Sequence, residues 1–285
     1  MPIAVRNFLL RVFQRYVTDF EEIEFLGKGG FGEVIKKVRL DPLDVEENRS
    51  IRREITTLSR LHHQYVVRYY TSWIEGERAL RVLYIQMEYC EKKTLRDVID
   101  EGVDDADAWR FFRQILEGLA YIHNEGMIHR DLKPSNIFLD ANGDVKIGDF
   151  GLAVLSQAGF DLYSQGGSFE PSDVASLTSG VGTALYVSPE VASGQGTGIR
   201  YNHKVDMYSL GIIFFELCYK FGTAMERITV IRDLRKPEIE FPSDFPLQKK
   251  EAQAGIICRL LNHSPADRPS SIQLLQDKAL PPKLV

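Results

Sequence analysis

Short runs of aromatic and β-branched residues dominate the chain from about residue 20 to residue 87. Runs of this length and composition are typical of β-strands. They predict four strands, with the sequences FEEIEFL, VIKKVRL, VVRYYTSWI and RVLYIQM. Apolar residues that recur every three or four positions predict one helix among these strands, over about 49–61, and another over 4–16.

After residue 91 the apolar positions follow helical spacing almost throughout. The predicted helices lie at 94–101, 106–125, 204–220, 223–236, 249–262 and 270–277. A strand-rich half followed by a helix-rich half predicts an α+β protein with two lobes. We divide the chain into an N-terminal helical extension at 1–18, a small mainly β lobe at 19–90 and a larger mainly helical lobe at 91–285. The stretch 156–182, rich in Ser and Gly, predicts a loop.

The composition excludes several classes of protein. With 285 residues, 44% of them hydrophobic and 26% charged, the chain is typical of a globular protein. Its apolar runs are shorter than the ~20 residues of a membrane-spanning helix. Arg6, Arg11 and Arg15 interrupt the N-terminal apolar stretch, which is untypical of a signal peptide. Three cysteines without metal-ligand spacing indicate reduced thiols. These features predict a cytoplasmic protein without membrane contact.

The net charge of −5 weighs against a nucleic-acid-binding module, because such modules usually carry a basic face. The chain also has no stripe of basic and aromatic residues. Direct binding of nucleic acid is therefore not expected from this domain.

A glycine-rich segment follows the first predicted strand, with Gly27, Gly29 and Gly32 in the spacing GxGxxG. Because glycine has no side chain, its backbone N–H group can approach a phosphate closely. The same spacing opens dinucleotide-binding folds, in which a helix starts directly at the glycines. Here the strand-like VIKKVRL follows from Val34, which disfavours that fold. The glycines alone leave phosphate binding open.

The sequence HRDLKPSN at 129–136, with Asp149-Phe-Gly downstream, carries the strongest chemical signal. Phosphoryl transfer needs an aligned hydroxyl group and neutralised phosphate charge. Asp131 supplies a carboxylate that can orient the hydroxyl group and accept its proton, and Lys133 supplies a cation for the transferred phosphate. Asn136 and Asp149 supply oxygen ligands of the kind that Mg²⁺ prefers.

On these motifs the chain resembles a eukaryotic protein kinase domain, from about residue 19 to residue 280. The resemblance implies Mg²⁺-dependent transfer of the γ-phosphate of ATP to a serine or threonine. It implies that Glu54 pairs with Lys36, the phosphate-binding lysine. It places Met87 at the gatekeeper position and Glu88 and Cys90 in the hinge that contacts adenine.

The same resemblance implies structural roles in the larger lobe. Asp206 matches the buried aspartate of the central helix of this lobe. Glu190, in Ser-Pro-Glu, would have Arg268 as its buried partner. Residues 149–190 would form the activation segment.

A narrower resemblance is carried by LHHQYVVRYYTSWIE, LYIQMEYCEKKTLRDVID, GVGTALYVSPEV and YSLGIIFFEL. These segments are similar to kinases of the translation initiation factor 2 α-subunit, and closest to the fungal general amino-acid control branch, which senses uncharged tRNA. The resemblance implies that Thr223, Glu226 and Arg227 dock the factor. Thr223 with Glu226 is also a capping box of an ordinary helix, and both interpretations can hold.

Further residues match regulatory positions of the same kinases. Thr178 and Thr183 fall where the family carries activation-loop phosphothreonines, although Thr183 could instead contact the catalytic aspartate. Arg15, Asp19 and Tyr69 match a homodimer contact between small lobes. Without the resemblance, Arg15 and Asp19 are only a charge pair four residues apart.

The chain departs from the family between Gly32 and Lys36, where only three residues intervene. Four residue steps extend about 13–14 Å, too little for an outgoing strand, a turn and a returning strand. Lys36 matches the phosphate-binding lysine by type, with Lys37 as the alternative. VIKKVRL can therefore fill only one of two strand positions. Either residues are missing from this hairpin, or the chain is a natural variant without a complete glycine loop.

Two other functional classes remain open at this point. The shortened glycine loop would suit a catalytically impaired kinase fold that acts as a binding or dimerisation module. A nucleic-acid-binding domain of a tRNA sensor is the second alternative, and the acidic charge balance disfavours it.

Overall fold

The structure is a computed structural model that describes residues 33–40, 58–76, 81–90, 93–150, 184–193 and 202–283. The chain divides into two compact units, Met1–Lys92 and Lys93–Val285. The predicted helices at 4–16 and 49–61, apart from the last residues of the second, lie outside the described residues. The predicted strand FEEIEFL and the loop at 156–182 also lie outside them.

The first unit contains an antiparallel sheet of three described strands. These are β1 (Glu33–Leu40), β2 (Tyr69–Glu75) and β3 (Arg81–Glu88), in the order β1-β3-β2. Three of the four strands predicted from the sequence are thus confirmed. Successive side chains of a strand point to opposite faces. Leu83 and Ile85 of β3 accordingly share one face and are buried.

The strand β1 runs without interruption along β3. Val34 pairs with Met87, Lys36 pairs with Ile85, and every residue from Glu33 to Leu40 has a partner in register. VIKKVRL could fill either of two strand positions. In the structure it forms β1, directly beside β3, the strand that leads into the predicted hinge.

The second unit is mainly helical, as the periodicity predicts. Its described helices are α1 (Leu95–Glu101), α2 (Asp105–Asn124), α3 (Pro189–Ala192), α4 (Lys204–Cys218), α5 (Ala224–Leu234), α6 (Glu251–Leu260) and α7 (Ser271–Leu275). A 3-10 turn at Pro134–Asn136 leads into a hairpin of β4 (Ile137–Leu139) and β5 (Val145–Ile147). The sequence pattern did not predict the short helix α3 or the 3-10 turn.

The helix α4 forms the centre of the second unit. It is apolar on all sides, and every residue from Val205 to Cys218 is buried. A helix of this composition is stable only when other elements surround it. Phe214 stacks on Phe112 of α2 with ring centroids 3.9 Å apart. Gly211 lets α6 approach closely, since a β-carbon there would lie 2.8 Å from Cβ of Leu260.

Side chains cap several helices of the second unit. Thr94, Thr223 and Ser270 each form a capping box at the start of α1, α5 and α7, and Asp104 caps α2. Such caps satisfy backbone N–H groups that have no partner within the helix. In the part of the chain that the structure describes, no helix is long and apolar enough to cross a membrane.

Candidate active site

The segment between α2 and β4 brings together three of the predicted site residues. Lys133 Nζ lies 2.8 Å from Asp131 Oδ2. Asn136 Nδ2 donates to the backbone oxygen of Asp131 at 2.8 Å and to its Oδ2 at 2.9 Å. The side chains of Asp131 and Lys133 are only about one-fifth exposed. One carboxylate, one cation and one amide are therefore held as a single hydrogen-bonded group.

The buried side chain of Asp206, in α4, fixes the backbone next to Asp131. Its two oxygens accept hydrogen bonds from the backbone N–H groups of His129 and Arg130, each at 2.8 Å. Arg130 has a φ of 68°, a strained conformation for a residue with a side chain. The two hydrogen bonds hold this conformation at the residue that precedes Asp131 in the chain.

The electrostatic environment of Asp206 favours its charged form. Burial acts to raise the pKa of this carboxyl group, but its hydrogen-bonding and electrostatic partners outweigh burial and lower it. His123 Nε2 lies 2.9 Å from Asp206 Oδ2 and is the main such partner. Asp206 is 1% exposed, as the resemblance implied. It therefore acts as a charged anchor inside the unit.

The segment that carries Asp149 is joined to the HRDLKPSN segment by backbone hydrogen bonds. Gly148 N donates to the oxygen of Asn136 at 3.0 Å. His129 Nε2 lies 3.0 Å from the oxygen of Gly148, and the ring of His129 packs on Phe150 at 4.8 Å. Asp149 itself has a φ of 54°. The two predicted metal ligands, Asn136 and Asp149, thus belong to directly connected segments.

The donor set fits a hard divalent cation. The Nδ2 atom of Asn136 is bonded to Asp131, so the side-chain oxygen is the atom that a Mg²⁺ ion would use. Asp149 would add a carboxylate oxygen, and Mg²⁺ prefers such oxygen ligands. Among the described residues there is no group of three or more His, Cys, Asp or Glu side chains that could hold a metal ion alone.

The predicted activation segment ends at an ion pair in which Arg268 is buried and Glu190 is partly exposed. Glu190 accepts from both terminal nitrogens of Arg268, at 2.7 and 2.8 Å. Burial acts to raise the pKa of Glu190, but the hydrogen bonds from Arg268 lower it. The pairing that the resemblance implied is confirmed.

In the first unit, Lys36 and Met87 lie on the same face of the sheet. Their positions follow from the pairing of Val34 with Met87 and of Lys36 with Ile85. Lys36 is half-buried, whereas Lys37 points to the other face and is exposed. This placement favours Lys36 over Lys37 as the phosphate-binding lysine.

The hinge candidates Glu88 and Cys90 are described and partly buried. Glu88 Oε2 accepts from Arg68 N at 3.0 Å, and Glu88 N donates to Arg68 O at 2.7 Å. The other predicted nucleotide contacts of this unit lie outside the described residues; they are Gly27, Gly29, Gly32 and Glu54.

The residues predicted to dock the substrate have partners within the unit. Thr223 Oγ1 accepts from Glu226 N at 3.1 Å, and Glu226 Oε2 accepts from Thr223 N at 3.3 Å, so the capping box is confirmed. Arg227 Nε lies 2.5 Å from the buried Glu216. Met225 lies between Thr223 and Glu226 in the chain, and the residue is 65% exposed. The sequence pattern did not indicate this residue.

The regulatory candidates are described only in part. Thr178, Thr183, Arg15 and Asp19 lie outside the described residues. Tyr69, the third predicted dimer contact, is 3% exposed within the protomer. A bulge follows it, at which Tyr70 is 45% exposed. Any contact by this edge would therefore involve Tyr70 more directly than Tyr69.

Sequence reasoning missed a buried network around Glu216. Arg96, Tyr186 and Arg227 all contact this carboxylate. The signal that could have found it is a single glutamate inside the apolar run GIIFFELC. A charge in such a position needs partners, because an unpaired buried charge is very unfavourable.

Comparison with known proteins agrees with the geometry. The protein kinase domain family matches residues 20–280. The chain therefore belongs to the protein kinase family, and the predicted two-lobed α+β kinase fold is confirmed.

Among relatives, the chain is similar to proteins named eIF-2-alpha kinase GCN2. It is 41% identical over 375 residues to that of Schizosaccharomyces pombe, 36% over 426 residues to that of Homo sapiens and 40% over 328 residues to that of Arabidopsis thaliana. Each match covers 95% of this chain and about a quarter of the relative: 24%, 26% and 25%.

These matches confirm the resemblance to initiation factor kinases and the class of serine/threonine protein kinase. The chain spans about a quarter of the length of these curated relatives. The first alignment runs over 375 residues although this chain has only 285, so the relative carries segments that this chain lacks. This agrees with the shortened connection between Gly32 and Lys36.

Proposed function

We propose that this chain transfers the γ-phosphate of ATP to a serine of the translation initiation factor 2 α-subunit. The observation that carries the proposal is the hydrogen-bonded group of Asp131, Lys133 and Asn136. Its parts are those that phosphoryl transfer requires: a carboxylate for the acceptor hydroxyl group and a cation for the phosphate.

The residues of the second unit have separate tasks in this proposal. Asp131 orients the serine hydroxyl group and takes up its proton. Lys133 is paired with Asp131 in this structure. During transfer its positive charge also stabilises the transferred phosphate. Asn136 and Asp149 hold Mg²⁺, which neutralises phosphate charge when it is bound.

The first unit is proposed to bind ATP. Lys36, with Glu54 as its partner, binds the phosphates, and Gly27, Gly29 and Gly32 supply backbone N–H groups. The side chains of Val34 and Met87 contact the adenine base, and the backbone of Glu88 and Cys90 forms hydrogen bonds with it. The common face of Val34, Lys36 and Met87 on the sheet supports this assignment.

The substrate is proposed from the relatives, which are named as eIF-2-alpha kinases. The first turn of α5 is the proposed docking surface, formed by Thr223, Glu226 and Arg227. Met225 lies in the same turn, and a protein docked there would contact its exposed side chain.

The biological setting is proposed from the resemblance to the general amino-acid control branch. We infer a cytoplasmic regulator of translation under amino-acid starvation that acts as a homodimer through its first unit, with Arg15, Asp19 and the strand edge of Tyr69 and Tyr70 at the contact. Thr178 and Thr183 are proposed phosphorylation sites. Neither a membrane nor a nucleic acid is a proposed partner of this domain. The alternative of a non-catalytic binding module is not favoured, since the relatives are named kinases.

A transfer assay with radiolabelled ATP tests the proposal. The α-subunit is offered beside a generic basic protein, with Asp131→Asn as the inactive control. Preferential labelling of a serine in the α-subunit is expected. Labelling of the basic protein alone would refute the proposal that the α-subunit is the substrate. No labelling, with Mg²⁺-dependent ATP binding absent as well, would favour the binding module.

A further inference from the structure

A single carboxylate connects three parts of the second unit. Glu216, on the central helix α4, has a side chain that is 0% exposed. Its Oε1 accepts from Arg96 Nη1 at 2.8 Å and from Arg227 Nε at 2.5 Å. Its Oε2 accepts from the hydroxyl group of Tyr186 at 2.6 Å. Helix α1, helix α5 and the end of the activation segment thus meet at one residue.

Tyr186 and Arg227 also contact each other directly. Arg227 Nη2 donates to the hydroxyl oxygen of Tyr186 at 2.6 Å, so this hydroxyl group is donor and acceptor at once. Burial and the negative charge of Glu216 raise the pKa of Tyr186 well above its ordinary value, so it is a neutral phenol near pH 7. Loss of either partner would leave a buried polar group unsatisfied.

The other end of α5 holds the same segment. Arg235, the residue that ends α5, donates from Nη1 to the backbone oxygens of Leu185 and Val187, at 2.8 and 2.6 Å. Its guanidinium group lies 5.5 Å from the ring centroid of Tyr208. The first and last turns of one helix therefore hold three consecutive residues, Leu185 to Val187.

We propose that α5 positions the segment 185–187 through Arg227 and Arg235, so that a substrate docked on α5 reacts faster than one that is not docked. The inference rests on the proposed docking of the protein substrate at α5. The segment lies in the chain directly between the predicted substrate-facing Thr183 and the anchored Glu190. Energy from docking remote from the chemistry can be used in this way to orient the reacting groups.

Arg227 is accordingly a positioning residue. Its guanidinium group is turned inwards to Glu216 and Tyr186, and only 19% of its side chain is exposed. A docked protein that contacts the first turn of α5 would act on the acceptor site through this group. A short peptide that does not reach α5 gains nothing from it.

Arg96 provides a matched control. It donates to the same oxygen of Glu216 as Arg227 does, and its side chain is 21% exposed compared with 19%. Arg96 belongs to α1 and bonds to Asp100 rather than to Tyr186. Arg96→Gln therefore removes a similar ion pair without separating α5 from the segment.

The experiment compares Tyr186→Phe, Arg227→Gln and Arg96→Gln. For each variant, kcat is measured with the α-subunit and with a short serine peptide. The dissociation constant is measured for an α-subunit whose acceptor serine is replaced by alanine, and a thermal melt follows folding. Tyr186 is 5% exposed, so its hydroxyl group acts on a docked protein only through its partners.

We expect Tyr186→Phe and Arg227→Gln to lower the ratio of kcat for the α-subunit to kcat for the peptide about tenfold, or about 1.4 kcal/mol. Tyr186→Phe should leave the affinity for the alanine-substituted α-subunit unchanged, and Arg96→Gln should change the ratio by less than about twofold. Equal losses in all three variants would overturn the coupling and leave a purely structural network. Weaker docking in Arg227→Gln, with no effect of Tyr186→Phe, would overturn it in favour of direct contact.

Failure of the proposed function has a different signature. If the unsubstituted chain labels the peptide but neither labels nor binds the α-subunit, both proposals are refuted. If it binds the α-subunit without transferring phosphate, the coupling is tested by hydrogen exchange of residues 184–193. The α-subunit should then slow exchange in this segment in the unsubstituted chain and in Arg96→Gln, but not in Arg227→Gln. Equal exchange in all three would overturn the coupling.

Discussion

Asn136 donates from its side-chain nitrogen to Asp131 Oδ2 at 2.9 Å, which links a proposed metal ligand to the proposed catalytic base. This contact orients the carboxylate and also directs the oxygen of the amide away from it. The position of the base and the position of the metal are therefore set together. Separate roles for the neighbouring residues can be tested on this basis.

Asp131→Asn should abolish transfer while leaving the affinity for ATP nearly intact. We expect kcat to fall roughly 100- to 10,000-fold, the range typical of a lost general base. Asp149→Asn should in addition weaken Mg²⁺-dependent ATP binding, because it removes a metal ligand. Calorimetric titration of both variants with ATP, with and without Mg²⁺, checks this. Equal loss of nucleotide binding in both would contradict the division of roles.

Met225→Ala should impair docking without loss of stability, because the side chain is 65% exposed. We expect the KM for the α-subunit to rise roughly tenfold, as the loss of a methionine contact at an interface would cause. Ile272→Ala is the matched control, a residue 51% exposed on the distant helix α7. A parallel change in KM for both variants would show that α5 is not the docking surface.

Thr223→Ala should destabilise α5 by about 1 kcal/mol through loss of its cap, and slow phosphorylation of the α-subunit more than that of a peptide. Ser270→Ala removes the equivalent capping box from α7 and serves as the control for stability. Thermal melts and rates on both substrates separate the two effects. If Thr223→Ala lowers the rates on both substrates in proportion, Thr223 acts only as a helix cap.

Phosphate on Thr178 or Thr183 should activate the chain. A phosphothreonine adds about −1.5 to −2 charge and pairs well with arginine. Arg130, exposed next to Asp131, is the proposed partner. Mass spectrometry after incubation with ATP should find one of these threonines modified. Full activity of the double variant Thr178→Ala, Thr183→Val would rule out this switch.

An ordinary hairpin inserted between Gly32 and Glu33 should strengthen ATP binding and transfer. The strand β1 already pairs with β3, so the position of the returning strand is filled and the outgoing strand is the missing part. In the restored chain, Lys36→Ala should remove the gain, whereas Lys37→Ala, on the opposite face, should not. The dissociation constant for ATP measures both effects. Equal affinity of the original and restored chains would refute this account of the glycine loop.

Much of the second unit could be predicted from its sequence. The helices α1, α2 and α4 to α7 begin and end within a few residues of the predicted bounds, because apolar spacing and capping residues act locally. The HRDLKPSN segment predicted the composition of the candidate site for the same reason. Phosphoryl transfer requires particular residue types at a short spacing, and that spacing can be read along the chain.

The partners of buried charges were decided only by the tertiary structure. Nothing local joins Glu216 to Arg96, which lies 120 residues away, or Asp206 to the backbone of His129, 77 residues away. Arg227 was predicted to dock the substrate, and only the folded unit shows that its guanidinium group contacts Glu216 and Tyr186. A buried charge must find partners wherever packing brings them, so the type of the residue is set by the sequence and its partner by the fold.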